Sequence, residues 1–252
     1  MTVLFSDIRS FASLIEGMTA LEISEFTDSY NAAMKPVIQR YKGFIEKNIG
    51  NAIMAFFPEK PSNAIDAAIA MLNELHQINL KRKEKELQLI SIGIGIHTDI
   101  QPKEVLNGRS KALIYGAASM AARLEELTKA YSSSLLVSMD VMNRVENKDI
   151  YYYRHVDTVK AKKEDKSVHI LEILNGNSQR IIDIKLKTRE AFERGINLYH
   201  SKEFIYALKC FKYVLKDDSR DTAAEIYVNR CNEYLEKGVG SDWDGVEQLE
   251  NK

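Results

Sequence analysis

Apolar and polar positions along the chain change period several times, and each change marks an element. Val3 to Ile8 is a short apolar run with Asp7 near its end, which reads as a buried strand. From Ser10 to Tyr41, apolar residues fall three and four apart (Leu14, Leu21, Phe26, Tyr30, Met34, Val37, Tyr41), predicting helices. Gly43 to Lys47 and Ala52 to Phe57 read as strands around Gly50-Asn51, a dipeptide that predicts a type I′ hairpin. Pro61 to Leu80 is amphipathic at helical spacing. Leu89 to His97 alternates like a strand, with Gly93 and Gly95 placed as if another backbone comes close. Ala117 to Tyr131 reads as helix, Leu135 to Ser138 as strand, and Val156 to Leu174 as a last hairpin. The order βααββαββαβ, with hairpins and long crossovers, predicts an α/β protein built as an α+β sandwich around a mostly antiparallel sheet.

The pattern breaks at Asn175-Gly176-Asn177-Ser178, so the first domain is taken as 1–175 and a linker as 176–187. From 188 to 238 the chain reads as all-helical. Gly195, Leu198, Ala207, Phe211, Val214 and Ser219 fall at offsets that resemble a tetratricopeptide helix pair. Small residues at a helix crossing let two helices approach, and the larger ones fill the groove between them. One such pair leaves an apolar face uncovered, so Thr222 to Lys237 is expected to cap it. Residues 239–252 form a tail expected to dock through Trp243, the chain's one tryptophan.

Composition narrows the class only a little. The 252 residues are 45% hydrophobic and 28% charged, ordinary for a soluble globular protein. With 35 Lys and Arg against 36 Asp and Glu, the net charge of -1 gives no whole-chain pull toward nucleic acid or anionic membrane. The run Lys81 to Glu86 is mixed in sign and reads as a solvated helix end. Cys210 and Cys231 match no zinc or redox spacing and are expected to be reduced, buried thiols of a cytosolic protein. No apolar run approaches the ~20 residues that cross a bilayer. Met1 leads straight into a strand, which suggests a piece of a longer protein.

Three stretches carry chemistry. Phe5-Ser6-Asp7-Ile8-Arg9-Ser10-Phe11 puts a carboxylate at a strand end before a turn whose backbone amides could face a polyphosphate and Mg²⁺. Lys47 to Phe56 forms the hairpin "KNIGNAIMAF". Gly93-Ile94-Gly95-Ile96-His97-Thr98 is followed by Tyr115 to Glu125, "YGAASMAARLE". In this order and at these separations the stretches resemble the class III adenylyl/guanylyl cyclase catalytic domain, over about residues 1–175. "VKAKKEDKSVHILEI" resembles the family's last hairpin, and the helical pair with its "DWDG" tail resembles an extension found on some bacterial members.

The resemblance implies the ferredoxin-like βαββαβ cyclase fold with a small all-α C-terminal domain. It implies conversion of a nucleoside triphosphate, ATP rather than GTP, to a 3′,5′-cyclic monophosphate and pyrophosphate with two Mg²⁺ or Mn²⁺ ions. The family's sites form in a head-to-tail dimer, here a homodimer or heterodimer. Carried over residue by residue, Asp7 matches the first metal aspartate and the Ile8 carbonyl the backbone ligand, while Asn51 stands where the second aspartate belongs. Lys47 matches the adenine-reading lysine, Phe11 lies in the substrate-facing turn, and Lys160 or Lys162 matches a phosphate-binding lysine. Arg123 matches the transition-state arginine. Ser119 replaces the ribose-orienting asparagine, and Ala112 replaces the purine-reading Asp or Thr. The stretch from His97 to Ala112 is shorter than is usual in the family, and Asp99 replaces a glycine.

Simpler roles exist for the same residues. Asp7 could cap a helix, Lys47 could be solvated, Arg123 could pair with Glu125 or Glu126, and Asn51 suits a tight turn without any metal. The expected function is therefore a cyclic-nucleotide signalling module with catalysis impaired at Asn51, Ser119 and Ala112. The alternatives are an active adenylate cyclase and a non-catalytic dimerising scaffold that binds a protein partner through its helices. The expected setting is a cytoplasmic domain, the C-terminal part of a larger membrane-bound receptor.

Overall fold

The computed structural model describes residues 1–98, 110–161 and 167–249, and the side chains of these except at 47–49, 110–115, 161 and 247–249. The chain divides into two compact units. One comprises Met1–Lys129 with Ser134–Lys148, and the other Ala130–Ser133 with Asp149–Lys252.

The first unit contains strands β1 (Thr2–Ile8), β2 (Phe44–Ile49), β3 (Ala52–Phe57), β4 (Ile92–Thr98) and β5 (Leu135–Ser138). Its helices are α1 (Phe11–Leu14), α2 (Ala20–Arg40), α3 (Pro61–Glu84), α4 (Ser110–Ala130) and α5 (Met139–Met142). Strand order runs β2-β3-β1-β4-β5, with β1 antiparallel to both β3 and β4 and β4 parallel to β5. This is the ferredoxin-like arrangement expected, in a mixed α/β protein whose strand pairs are mostly antiparallel. Helix α2 opens with a capping box in which Thr19 and Glu22 satisfy each other's backbone amides. Helix α3 begins at Pro61 and carries Lys81, Arg82 and Lys83 in its last turn, where cations meet the negative end of the helix dipole.

Helix α4 lies on the face of β1 that holds Val3, Phe5 and Asp7. Ala117 and Ala121 form a buried cluster with Val3 and Phe56, which are register partners on neighbouring strands. The close approach depends on Gly95: a Cβ there would run into the backbone of Ala121 and Glu125. The β2–β3 loop has two residues, as expected, but only Gly50 takes a positive φ, of 60°. A type I′ turn needs positive φ at both central residues, so that turn assignment is corrected. Asn51 keeps an ordinary backbone while its side chain turns inward to β1.

The second unit contains hairpin β6 (Tyr153–Ala161) and β7 (Ser167–Ile173), then helices α6 (Gln179–His200), α7 (Phe204–Asp217) and α8 (Thr222–Lys237), and strand β8 (Glu247–Leu249). Phe192, Tyr199, Phe211 and Tyr227 are fully buried between the three helices. Phe211 stacks on Tyr227 with ring centroids 4.7 Å apart, and a Cβ at Gly195 would meet the Phe211 ring at 2.8 Å. Helix α8 thus covers the apolar face that α6 and α7 leave. Cys210 and Cys231 are both free thiols, the second buried.

Two features differ from the sequence expectation. Residues 179–187, read as linker, are the first turns of α6. They bury Ile182 and bring Lys185 within 2.5 Å of Glu172 on β7, a pairing that local composition does not reveal. The tail also contributes a strand, since β8 runs parallel to β6.

Hairpin and helices are joined by buried charge. Arg154 on β6 is wholly buried, 2.8 Å from Glu172 and 2.5 Å from Asp221, with its guanidinium 4.3 Å above the Phe192 ring. Asp221 also caps α8 by accepting from the Ala224 amide. A second node is buried Asp157, which accepts from the Tyr131 hydroxyl at 2.5 Å, the Tyr227 hydroxyl at 2.8 Å and Arg230 at 2.8 Å. Charges this deep are stable only when fully paired and hydrogen-bonded, as these are.

Candidate functional site

Strand β1 delivers Asp7 to the end of the sheet, half-buried and on the α4 side. The Ile8 amide and the Asn51 side chain both donate to its carboxylate, yet burial outweighs them and holds its pKa above the ordinary carboxylate value. Asn51, on the turn into β3, donates Nδ2 to Asp7 Oδ1 and lies 3.4 Å from the Ile8 carbonyl oxygen. Asp7, Ile8 and Asn51, the three expected metal positions, are therefore together. Asp7 is not a helix cap: the residue before α1 is Ser10, at φ 52°, and no side chain caps that single turn.

The donor set argues against two divalent cations. It offers one carboxylate, one carbonyl and one neutral amide, whose nitrogen is turned toward the two oxygens that would hold a metal. Hard cations favour several anionic oxygens, and Mg²⁺ tolerates poor geometry badly. Among the described residues, no three His, Cys, Asp or Glu are grouped to hold a metal. The residues as arranged do not fit the family's two-metal centre.

Glu125 on α4, which sequence reasoning treated only as a partner for Arg123, reaches the sheet beside the register partner of Asp7. Its carboxylate lies over Gly93, 2.5 Å from where a Cβ would stand, and Gly93 is the register partner of Asp7. Burial, then the charge of Asp7, raises its pKa to about 7 against the opposing pull of Arg9. Arg9 donates to the Thr128 carbonyl at 3.1 Å, tying the turn after Asp7 to the end of α4. The signal was present in the sequence: Ala117, Ala121, Glu125 and Thr128 form one stripe at helical spacing, and a carboxylate interrupts it.

The other expected residues are more dispersed. Ser119 is exposed and Arg123 half-buried, one turn apart on α4. Each lies two residues beyond an alanine that packs on the sheet, so helical geometry points them away from β1. Phe11 opens α1 and packs with Phe26, ring centroids 6.2 Å apart. Lys160 is half-buried on β6, in the second unit. Lys47 lies on β2 and Ala112 on α4, but their side chains are outside those described, and Lys162 and Asp99 lie outside the described residues.

Residues 1–172 match the adenylate and guanylate cyclase catalytic domain family. The chain belongs to that family. It is 36% identical over 182 residues to an adenylate cyclase of Anabaena cylindrica, covering 69% of this chain and 36% of that protein. It is 30% identical over 239 residues to the terminal-differentiation specific adenylate cyclase of Dictyostelium discoideum, covering 91% of this chain and 11% of that protein. The second alignment necessarily runs past residue 172 into the helical extension. The chain thus spans about a third or less of the length of these relatives. Among solved structures, a bacterial light-regulated adenylyl cyclase shares the fold, with TM-score 0.54 and 22% identity over 72% of this chain and 94% of that one. Members of the family generally use divalent metal cations. Among the described residues, no helix is long and apolar enough to cross a membrane.

Proposed function

We propose that this chain is a cyclic-nucleotide signalling domain of the class III cyclase family whose own catalytic site is impaired. The carrying observation is the Asn51 amide, which donates to Asp7 and faces the Ile8 carbonyl. Exchanging a carboxylate for an amide removes a negative charge and turns an N–H donor toward the oxygens a cation needs. Losing one preorganised group of this kind typically costs ~10²–10³ in rate. Ser119 is a second such loss, because a hydroxyl is too short to replace an asparagine. The two losses are not additive if the groups act as a unit.

In this reading the domain binds a nucleoside triphosphate, ATP in preference to GTP, as the adenylate cyclase names of its relatives suggest. Asp7, Lys47, Phe11 and Lys160 are each read as standing at a position that the family uses for its substrate or metal, Lys160 in the second unit. Ser119 and Arg123, projecting away from their own sheet, serve a site completed by a second subunit in a head-to-tail dimer. That subunit is a copy of this chain or a relative with both aspartates intact. The relatives' greater length supports a domain within a larger protein, which this reading takes to be a membrane-bound receptor with the domain on its cytoplasmic side.

A second reading keeps the domain as an active adenylate cyclase that prefers Mn²⁺, which is less demanding than Mg²⁺. It is favoured by the retention of both Asp7 and Arg123. A protein partner for the helical extension is supported by an open groove of about 440 Å³ on α6 and α7, with Arg194, Lys209, Tyr206 and Tyr213 on its walls.

The test is turnover of ATP and GTP with Mg²⁺ and with Mn²⁺, beside the double variant Asn51→Asp, Ser119→Asn. Little product from the natural chain and a clear gain in the double variant are expected. Robust product from the natural chain sinks the impaired reading. If neither protein binds nucleotide, the site is not a nucleotide site.

A further inference from the structure

Among the described residues, the segment after α8 is attached to the second unit through the Trp243 side chain, two exposed hydrogen bonds to its backbone and a short strand. Beyond Gly238, at φ 72°, the chain turns back over the start of α7. Trp243 inserts edge-on among three aromatic rings, with centroids 5.2 Å from Tyr199, 5.4 Å from Phe204 and 5.4 Å from Tyr234. The Lys202 ammonium lies 5.8 Å from the indole and donates to the Gly240 carbonyl at 3.3 Å. His200 Nδ1 lies 3.4 Å from the Asp244 carbonyl oxygen. Gly245 then takes φ 74°, and a Cβ there would meet His200 at 2.5 Å and the Trp243 ring at 3.1 Å, so a glycine is required for the chain to pass.

From that turn the chain reaches β8, which pairs with β6 in parallel register: Val159 with Glu247, Lys160 with Gln248, Ala161 with Leu249. The other edge of β6 at this point is held by β7, with Lys160 opposite Ser167. The strand carrying Lys160 is therefore clamped on its free edge by three residues from the chain's own C-terminal segment.

These attachments are unequal. The ladder is three residues long and parallel, the weaker pairing mode. The hydrogen bonds from Lys202 and His200 are exposed. Among the described side chains of the segment, what remains is one partly exposed indole in an aromatic box. A segment with few buried contacts and exposed hydrogen bonds opens at lower free energy than the core beneath it.

We propose that residues 240–249 are a detachable latch, with Trp243 as its anchor and β8 as its brace, and that the seated latch sets the position of Lys160. The last clause rests on the nucleotide reading of Lys160 given above; the latch itself does not.

The experiment uses the full chain and the variants Trp243→Ala, Trp243→Phe, Lys160→Ala and Trp243→Ala with Lys160→Ala. Hydrogen exchange is measured without nucleotide, and affinity is measured with a fluorescent ATP analogue. Removing the indole is expected to cut protection of the amides within 159–161 that point to β8 at least ~10-fold, with α6 and α8 unchanged and Phe restoring most of it. Circular dichroism and the unfolding transition show whether the variants stay folded. The affinity of the Trp243→Ala variant should fall to that of Lys160→Ala, with no further loss in the double variant. Unchanged protection at 159–161 overturns the latch, as does a loss of protection spread equally over α6 and α8, which would make Trp243 ordinary core. Lost protection at 159–161 with unchanged affinity, while Lys160→Ala weakens binding, overturns the positioning of Lys160. If no protein binds the analogue, the nucleotide reading fails and exchange alone decides the latch.

Discussion

The side-chain amide of Asn51 donates to the carboxylate of Asp7, across 44 residues of sequence, and so turns an N–H toward the position proposed for a cation. The bond partly offsets the cost of burying the Asp7 carboxylate but does not cancel its charge. Restoring a carboxylate by Asn51→Asp sets two anions side by side. Without metal, Asp7 should hold its proton to still higher pH. With metal, Mn²⁺ affinity should rise about tenfold or more, since ~1.4 kcal/mol of added attraction is enough for that factor. Electron paramagnetic resonance titration of Mn²⁺ into both proteins reads this directly, and equal affinities would refute it.

Gly95 and Gly116 predict opposite outcomes for the same substitution. At Gly95 an added methyl strikes the α4 backbone, which cannot rotate away as a side chain can. Gly95→Ala should destabilise by about 3 kcal/mol, at the upper end of overpacking costs. At Gly116, on α4, nothing lies within 4 Å of the added Cβ. Gly116→Ala should stabilise by up to about 1 kcal/mol through helix propensity. Urea unfolding of the two variants beside the natural chain compares them.

Arg154, with Glu172 and Asp221, makes the second unit sensitive to any single loss. Arg154→Met leaves two buried carboxylates facing each other and should cost about 3–5 kcal/mol. Glu172 also holds buried Lys185, so replacing all four charges with apolar residues of similar size should cost much less, because no unpaired charge remains. Thermal and denaturant unfolding of the single and quadruple variants distinguishes these outcomes. Equal losses would mean that the ion cluster contributes net stability.

His155 carries a pH prediction. Burial, then the neighbouring His169, lowers its pKa from 6.5 to about 4, and its buried Nε2 has no hydrogen-bond partner among the described residues. The folded state thus binds fewer protons than the unfolded state between those values. Stability from this group is complete above pH 6.5 and is lost as pH falls toward 4. His155→Phe should flatten the dependence of stability on pH across that window, measured by denaturation at pH 7, 6, 5 and 4. An unchanged slope would mean that another group carries it.

Much of the fold was legible in the sequence because it depends on short-range patterns. The alternation in β4, the three-and-four spacing of α2 and the two-residue turn at Gly50-Asn51 each involve residues within a few positions of one another. Gly93 and Gly95 announced a close backbone approach; α4 supplies it at Gly95, whereas Gly93 meets the side chains of Glu125 and Thr128. The start of α6 was misread because Asn177 and Ser178 look like linker, while the partner that makes Lys185 buriable lies on β7.

The candidate site was legible only as a set of positions. Sequence alone, through its resemblance to the family, implied which residues match the metal and transition-state places, and that Asn51, Ser119 and Ala112 each lack the group expected there. Only the tertiary structure decided what those residues do. It turned the Asn51 amide onto Asp7, set Glu125 over Gly93, and brought Arg154 to Asp221, 67 residues further along the chain. The physical reason is range: periodicity and turn chemistry act between neighbours, whereas a buried charge is stable only beside partners that the completed fold brings to it.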